Sequence, residues 1–242
     1  MVDAQSKVTL RPRSKLERLL DPLSEAYTIP ERPDVDVLSQ LTLLYLVGSG
    51  GDRKAALAAM SPLCAKNGRV DPEKLARTTR EIVAAVCPEP SVDDAHQALR
   101  AAGEIASGAP DLDARCRGDL SDARRLLRSL PLITEQRADL LLLYSGAHAV
   151  VAPSSQGIHV AARLGYPGAA YASFARALDA ELPDLDGVKV AWRAHHLLDQ
   201  HGKGICAQKA PQCVRCPIRD ACAFRGEGED PADRLYGAPR PE

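Results

Sequence analysis

Aromatic residues are scarce in this 242-residue chain: one Trp, two Phe and six Tyr make up 4% of it. The core must therefore be filled mainly by Leu, Ala and Val from a 45% hydrophobic complement, which favours helices over strands. A dominant charge is also missing, since 31 Lys and Arg oppose 32 Asp and Glu for a formal net charge of −1. That balance excludes a polycation that holds nucleic acid by its overall field. A nucleic-acid partner would have to meet a local basic face. No apolar run is long enough for a bilayer, and the stretch around Leu140 to Leu143 is a short core segment. Without a recognisable signal peptide, the expected setting is the cytoplasm, with no membrane partner. Strand-like alternation, internal repeats and low-complexity segments are not found. The expected fold class is all-α.

What is present is concentrated near the C-terminus. Of seven cysteines, Cys206, Cys213, Cys216 and Cys222 fall in one short stretch with the spacing C-x6-C-x2-C-x5-C. Four thiolates so close repel one another, and a metal centre resolves the repulsion because coordination uses the deprotonated sulfur. An all-cysteine set admits a tetrahedral zinc or an iron–sulfur cluster. Structural zinc usually pairs two tight knuckles, whereas here only Cys213 and Cys216 form one. The longer arms to Cys206 and Cys222 suit a larger cubane, and Lys203, Lys209, Arg215 and Arg219 would offset its negative charge. Structural disulfides need an oxidising compartment that nothing in the sequence suggests. Cys64, Cys87 and Cys116 are scattered and read as ordinary buried thiols.

The run His195 to Phe224, HHLLDQHGKGIC leading into the four cysteines, resembles the C-terminal end of the endonuclease III branch of helix-hairpin-helix DNA glycosylases. The likeness extends more weakly back through SLPLITEQRADLLLLYSGAHAVVAPSSQGIHVAARLGYPG. It implies a 4Fe–4S cluster on Cys206, Cys213, Cys216 and Cys222. It also implies a two-lobed, all-α, helix-hairpin-helix glycosylase fold. One lobe would be a six-helix barrel over residues 31–150. The other would be a cluster domain from residues 12–30 plus 151–225, with a flexible tail over 226–242. The implied partner is double-stranded DNA, damaged or kinked, bound by a monomer associated with the nucleoid.

Local signals place the helices. Ser14 caps a first helix carrying Leu16, Leu19 and Leu20. An apolar helix over Asp34 to Val47 stops at Gly48-Ser49-Gly50-Gly51, and Asp52 caps a short helix to about Cys64. Asp71-Pro72-Glu73 opens a helix to Val86, with Pro at its first position. Ser91 to Ser107 and Leu112 to Ser129 read as single helices. Asp186 caps a last long helix that delivers the chain to Cys206.

Leu130-Pro131-Leu132-Ile133-Thr134 joins the helix ending at Ser129 to an apolar helix over Ala138 to Ser145, which is the position of a helix-hairpin-helix. In the resembled family this turn reads L-P-G-[VI]-G and brings backbone N–H groups to a DNA phosphate, as a helix N-terminus does. Leu132 and Thr134 replace the two glycines and resist the φ > 0 conformations that Gly adopts freely. Arg115, Arg117, Arg124, Arg125, Arg128 and Arg137 crowd the hairpin, either as a solvated helical face or as a basic face for DNA. A second basic region in the cysteine loop favours DNA. The resemblance assigns DNA-binding positions to Leu132, Thr134, Arg137, Arg125, Arg128 and Ser49, the last standing where the family has a glutamine that fills the gap left by a flipped base.

Bifunctional members of the family use a lysine after the hairpin and an aspartate further on. The matching positions here are Gln136 and Ser154, with Gln156 and His159 following. A glutamine amide cannot form a Schiff base and a serine carries no charge near neutral pH. Lyase activity is therefore not expected, and glycosylase activity would be weak, altered or lost. Asp139, one turn after Gln136, is the candidate substitute carboxylate, against the plainer role of a surface or capping Asp. His148 and His159 are candidate acid–base groups. Three functions stay open: a DNA-binding protein of base-excision repair or damage recognition, a monofunctional glycosylase using a carboxylate such as Asp139, and an iron–sulfur redox or protein-interaction module without DNA.

Overall fold

A computed structural model describes residues 12–48, 52–107, 112–226 and 228–235. Among these the regular structure is helical, with one isolated bridge between Cys64 and Val70 and no strand. Helix α1 (Lys15–Ala26) starts at a capping box: Glu17 N donates to Ser14 Oγ at 3.2 Å, and Ser14 N donates to Glu17 Oε2 at 2.9 Å. Its Leu16, Leu19, Leu20 and Leu23 form one buried stripe.

Helix α2 (Val37–Gly48) is apolar around most of its circumference and is buried accordingly. Its buried hydroxyls are satisfied locally: Thr42 donates to the Leu38 carbonyl and Ser39 to Asp36. Helix α3 (Arg53–Met60) is capped by Asp52, as its sequence predicts. Ser49, Gly50 and Gly51 lie outside the described residues, so the assignment made for Ser49 does too.

Two expected helices are each broken in two. The helix opening at Asp71 is α4 (Pro72–Ala76) and α5 (Arg80–Ala84), and the cause is α6 (Ser91–Ser107). Arg100 Nε donates to the Ala76 carbonyl at 3.1 Å and the His96 ring bonds the Thr78 carbonyl at 2.9 Å. Those carbonyls are then engaged from outside the helix rather than by the next turn. Gly103 permits the approach, since a Cβ there would sit 2.2 Å from Ala76 N. The segment expected over Leu112 to Ser129 is α7 (Leu112–Cys116) and α8 (Leu120–Arg128), because Asp119 leaves the helical path to cap Asp122 N at 3.0 Å.

The chain continues as α9 (Glu135–Ser145), α10 (Ser155–Arg163), α11 (Tyr171–Asp179) and α12 (Gly187–Lys203). Asp186 stands at the N-cap of α12 but in left-handed backbone, φ 62°, and pairs with Lys189 instead of capping an amide. In space α2 packs against α3, α6, α7 and α9, while α4 and α5 lie on α6 and α8 lies on α7 and α9. Helix α12 receives α1 and α10, and α11 packs on α10. Helix α9 touches α11 and α12 as well, so it links the two groups.

The C-terminal stretch expected to be flexible is in part docked. Ala232 is fully buried and Asp230 pairs with Arg163, because a buried guanidinium needs a carboxylate partner. Residues 236–242 lie outside the described residues.

Candidate functional site

The hairpin turn between α8 and α9 is held by three contacts. Tyr45 of α2 donates its hydroxyl to the Pro131 carbonyl at 2.7 Å, Arg137 Nη1 donates to the Leu132 carbonyl at 2.8 Å, and Thr134 Oγ1 accepts from Arg137 N at 3.3 Å. Leu132 adopts φ 60°. A leucine does take the left-handed conformation here, at about 1–2 kcal/mol, because the turn is fixed from both sides. Its side chain is exposed, as is Thr134. Arg125 and Arg128 are exposed on α8, Arg125 pairing with Asp122 at 2.8 Å. Arg137 is half-buried and also lies against α2, where its Nη2 is 3.2 Å from the position of a Cβ on Gly48.

Gln136 and Ser154 are brought together. Gln136 Nε2 donates to the Pro153 carbonyl at 2.9 Å, and Ser154 is the N-cap of α10, accepting from Gly157 N at 3.1 Å. Ser154 Oγ also donates to Asp199 Oδ1 at 2.6 Å, and Lys203 Nζ pairs with Asp199 Oδ2 at 2.6 Å. On the same helix His195 bonds the Ala152 carbonyl at 2.7 Å through Nδ1. Tyr144, Trp192, His195 and His196 form one edge-to-face group, with Tyr144 to Trp192 at 4.7 Å between centroids. Burial, then the neighbouring His195, lowers the His196 pKa to about 4, so this ring is neutral at physiological pH.

The four C-terminal cysteines line one small cavity together with Val160, Leu164, Ile218 and Phe224. All four are unpaired thiols. Among the described residues no three Cys, His, Asp or Glu side chains form a group that could hold a metal ion. A zinc at about 2.3 Å from each sulfur would need the sulfurs roughly 3.8 Å apart. The four thiols face a common cavity, a donor set whose chemistry admits thiolate-ligated metal.

Arg163 organises this loop and is the largest fully buried side chain among the described residues. Its guanidinium donates to the carbonyls of Cys206, Ala207 and Gln208 at 3.1, 2.9 and 3.1 Å and reaches Cys206 Sγ at 3.4 Å. Asp230 neutralises it. On the far side, Tyr27 Oη bonds His201 Nδ1 at 3.0 Å, and His201 Nε2 lies 3.6 Å from Cys216 Sγ. Gly226, φ 86°, closes the loop where a Cβ would lie 2.9 Å from Cys213 Sγ.

No family profile matches the chain. Endonuclease III of Sulfolobus acidocaldarius is 24% identical over 194 residues, which cover 75% of this chain and 80% of that protein. Among solved structures, a non-covalent Endonuclease III-DNA complex superposes with a TM-score of 0.60 at 14% identity, covering 94% of this chain and 100% of that one. A thermostable thymine-DNA glycosylase gives a TM-score of 0.61 at 13% identity over 88% of this chain and 97% of that one. The chain thus has the fold of these endonuclease III and thymine-DNA glycosylase structures.

Within this fold, Asp139 is buried in the core. Its side chain is 1% exposed. Oδ1 accepts from Arg124 Nε at 2.6 Å and Oδ2 from the Tyr171 hydroxyl at 2.8 Å, so both oxygens are committed. Arg124 also reaches Asp179 at 3.5 Å, and Asp179 Oδ1 accepts from Val151 N at 2.6 Å. Burial raises the Asp179 pKa to about 6 despite these donors. Arg124 is thereby removed from the basic face that the sequence suggests. His159 is buried near Arg163 and Asp230, and burial, then the Arg163 charge, lowers its pKa. Asp199 is the polar group that sequence reasoning missed, and Lys203, read there as a counter-charge for the cysteine loop, pairs with it. The available signal was the spacing His195, Asp199, Lys203, which repeats every four residues and so marks one face of α12.

Proposed function

We propose that this protein binds duplex DNA, damaged or kinked, and acts in base-excision repair or damage recognition. The observation that carries this is the hairpin: a closed turn with Leu132 in the backbone conformation normally left to glycine, flanked by exposed Arg125 and Arg128. It sits in a fold that superposes on endonuclease III complexes with DNA over nearly the whole chain. The first turn of α9 would present N–H groups to a phosphate and the arginines would neutralise its neighbours. Residues 31–150 would form the barrel lobe, and residues 12–30 with 151–225 the cluster lobe, with DNA in the groove between.

Cys206, Cys213, Cys216 and Cys222 would hold a 4Fe–4S cluster, which when bound supplies a rigid anchor for the loop and an electron-transfer centre. Arg163, His201 and Gly226 shape the loop around it without any step of DNA chemistry. Strand cleavage through a Schiff base is not expected, because Gln136 offers no amine and its amide is engaged by Pro153.

Fluorescence anisotropy with a duplex containing a single abasic-site analogue tests the proposal. Binding should weaken steeply with salt, and Arg125→Glu with Arg128→Glu should weaken it at least tenfold at low salt. Binding that ignores both salt and the arginines would instead support a cluster module that works without DNA.

A further inference from the structure

The C-terminal end of α12 carries a buried histidine whose two ring nitrogens have different kinds of partner. His201 is 1% exposed and lines the cavity shared by the four cysteines. Its Nδ1 lies 3.0 Å from the Tyr27 hydroxyl, and its Nε2 lies 3.6 Å from Cys216 Sγ, within hydrogen-bonding reach of a large sulfur acceptor. Neighbouring contacts hold the ring in place. Gln200 Nε2 donates to the Thr28 carbonyl at 2.9 Å, so the residues beside His201 and Tyr27 are tied to each other as well. Gly202 lets α12 close on α10, where a Cβ would sit 2.7 Å from the Gln156 carbonyl oxygen. The end of α1 is thereby fixed to the end of α12.

Donors and acceptors decide which nitrogen carries the proton. A cysteinate that ligates metal has no proton to give, so it can only accept. Nε2 must then carry the hydrogen, because a lone pair there would face the negative charge of the sulfur. Nδ1 is left as an acceptor, with the Tyr27 hydroxyl as its donor. The Ile205 backbone amide bonds to the same hydroxyl, which leaves the phenolic proton for Nδ1. Ile205, Tyr27, His201 and Cys216 thus form one chain in which every donor points toward the sulfur.

We propose that His201 is a redox-tuning donor: its Nε2–H hydrogen-bonds the Cys216 sulfur and raises the reduction potential of the cluster, and Tyr27 is the positioning residue that fixes the tautomer. This role rests on the 4Fe–4S cluster proposed above for Cys206, Cys213, Cys216 and Cys222. Reduction adds one electron, and part of its charge spreads onto the cysteine sulfurs. An N–H dipole aimed at a sulfur stabilises the reduced state more than the oxidised one. The electron comes from an external one-electron donor, and no bond forms or breaks. His201 keeps its proton in both states.

Full-length protein carrying its cluster is titrated anaerobically at pH 7.5 with dithionite and mediator dyes, and electron paramagnetic resonance counts the reduced cluster. At the solution potential where wild type is half reduced, His201→Leu should lower the ratio of reduced to oxidised cluster by about threefold or more. His201→Gln, whose amide can place an N–H near the Nε2 position, should restore most of that ratio. Tyr27→Phe should lower it in the same direction but by less, since the imidazole stays and only its tautomer is released. Iron content per chain and the helical signal should match wild type throughout. A His201 that only filled the core would change thermal stability and leave the ratio unchanged in all three variants. Should His201→Leu not retain iron, Tyr27→Phe decides: a lowered ratio supports the tuning role, and an unchanged ratio overturns it. Iron-loaded wild type without a reversible one-electron couple overturns the tuning role and leaves the cluster standing. Wild type that takes up zinc, or no iron, overturns both.

Discussion

Replacing Arg124 by Met removes the cation that Asp139 and Asp179 share. Asp139 would keep only the Tyr171 hydroxyl at 2.8 Å, with its side chain 1% exposed, and Asp179 would lose the contact at 3.5 Å. Leaving a buried carboxylate without its partner costs about 3–5 kcal/mol, whereas replacing a whole buried pair with apolar groups of similar size is close to neutral. Arg124→Met should therefore lower the unfolding free energy by about 3–5 kcal/mol, which for a chain of this size lowers Tm by roughly 6–20 °C. Arg124→Met with Asp139→Leu should recover a large part of that loss, giving a coupling of about 2 kcal/mol or more in a double-mutant cycle. Urea unfolding followed by far-UV circular dichroism at pH 7.5 measures each arm. Arg124→Met that costs less than 1 kcal/mol, with an additive double variant, would refute the buried-pair account. Asp139→Asn adds a functional arm: once folded, it should keep wild-type affinity for duplex DNA in anisotropy, because both carboxylate oxygens face Arg124 and Tyr171 inside the core.

Asp179 carries a pH prediction. Its folded pKa, about 6, lies above the ordinary 3.8, so its stabilising contribution is fully present below about 3.8 and is lost as pH rises through 6. The difference, 6 − 3.8 or about 2.2 units, corresponds to about 3 kcal/mol; the stability of Asp179→Asn relative to wild type should rise between pH 4 and pH 6.5 and then level off in urea titrations. Leu132→Gly relieves a left-handed leucine while adding chain entropy, so it should change stability by no more than about 1 kcal/mol; by anisotropy, its DNA affinity should rise because the turn backbone can approach phosphate more closely. Gly226→Ala would place a Cβ 2.9 Å from Cys213 Sγ at a positive φ, and should lower iron content per chain as measured by atomic absorption.

The cysteine spacing and the helix-hairpin-helix position were legible because they are local: each depends on residues close together in the chain. The first helix and α3 were also legible, their starts written in Ser14-x-x-Glu17 and Asp52. The breaks inside α4–α5 were not, because the groups that cause them, His96 and Arg100, arrive from α6. The same limit governs the carboxylates. Asp139 sits on an apolar helix and Asp199 on an amphipathic one, and helical spacing alone does not show that one faces Arg124 and the other Ser154. Leu132 illustrates the reverse case: its residue type argued against a tight turn, and contacts from Tyr45 and Arg137 decided in favour of it.

The most direct measurement is equilibrium anisotropy of the cluster-loaded wild-type protein on two duplexes of one sequence, with and without a single abasic-site analogue, at two salt concentrations. A damage-recognition protein predicts binding that weakens with salt and favours the abasic duplex by about tenfold or more, about 1.4 kcal/mol. Equal affinity for the two duplexes, or no binding at either salt concentration, would contradict it.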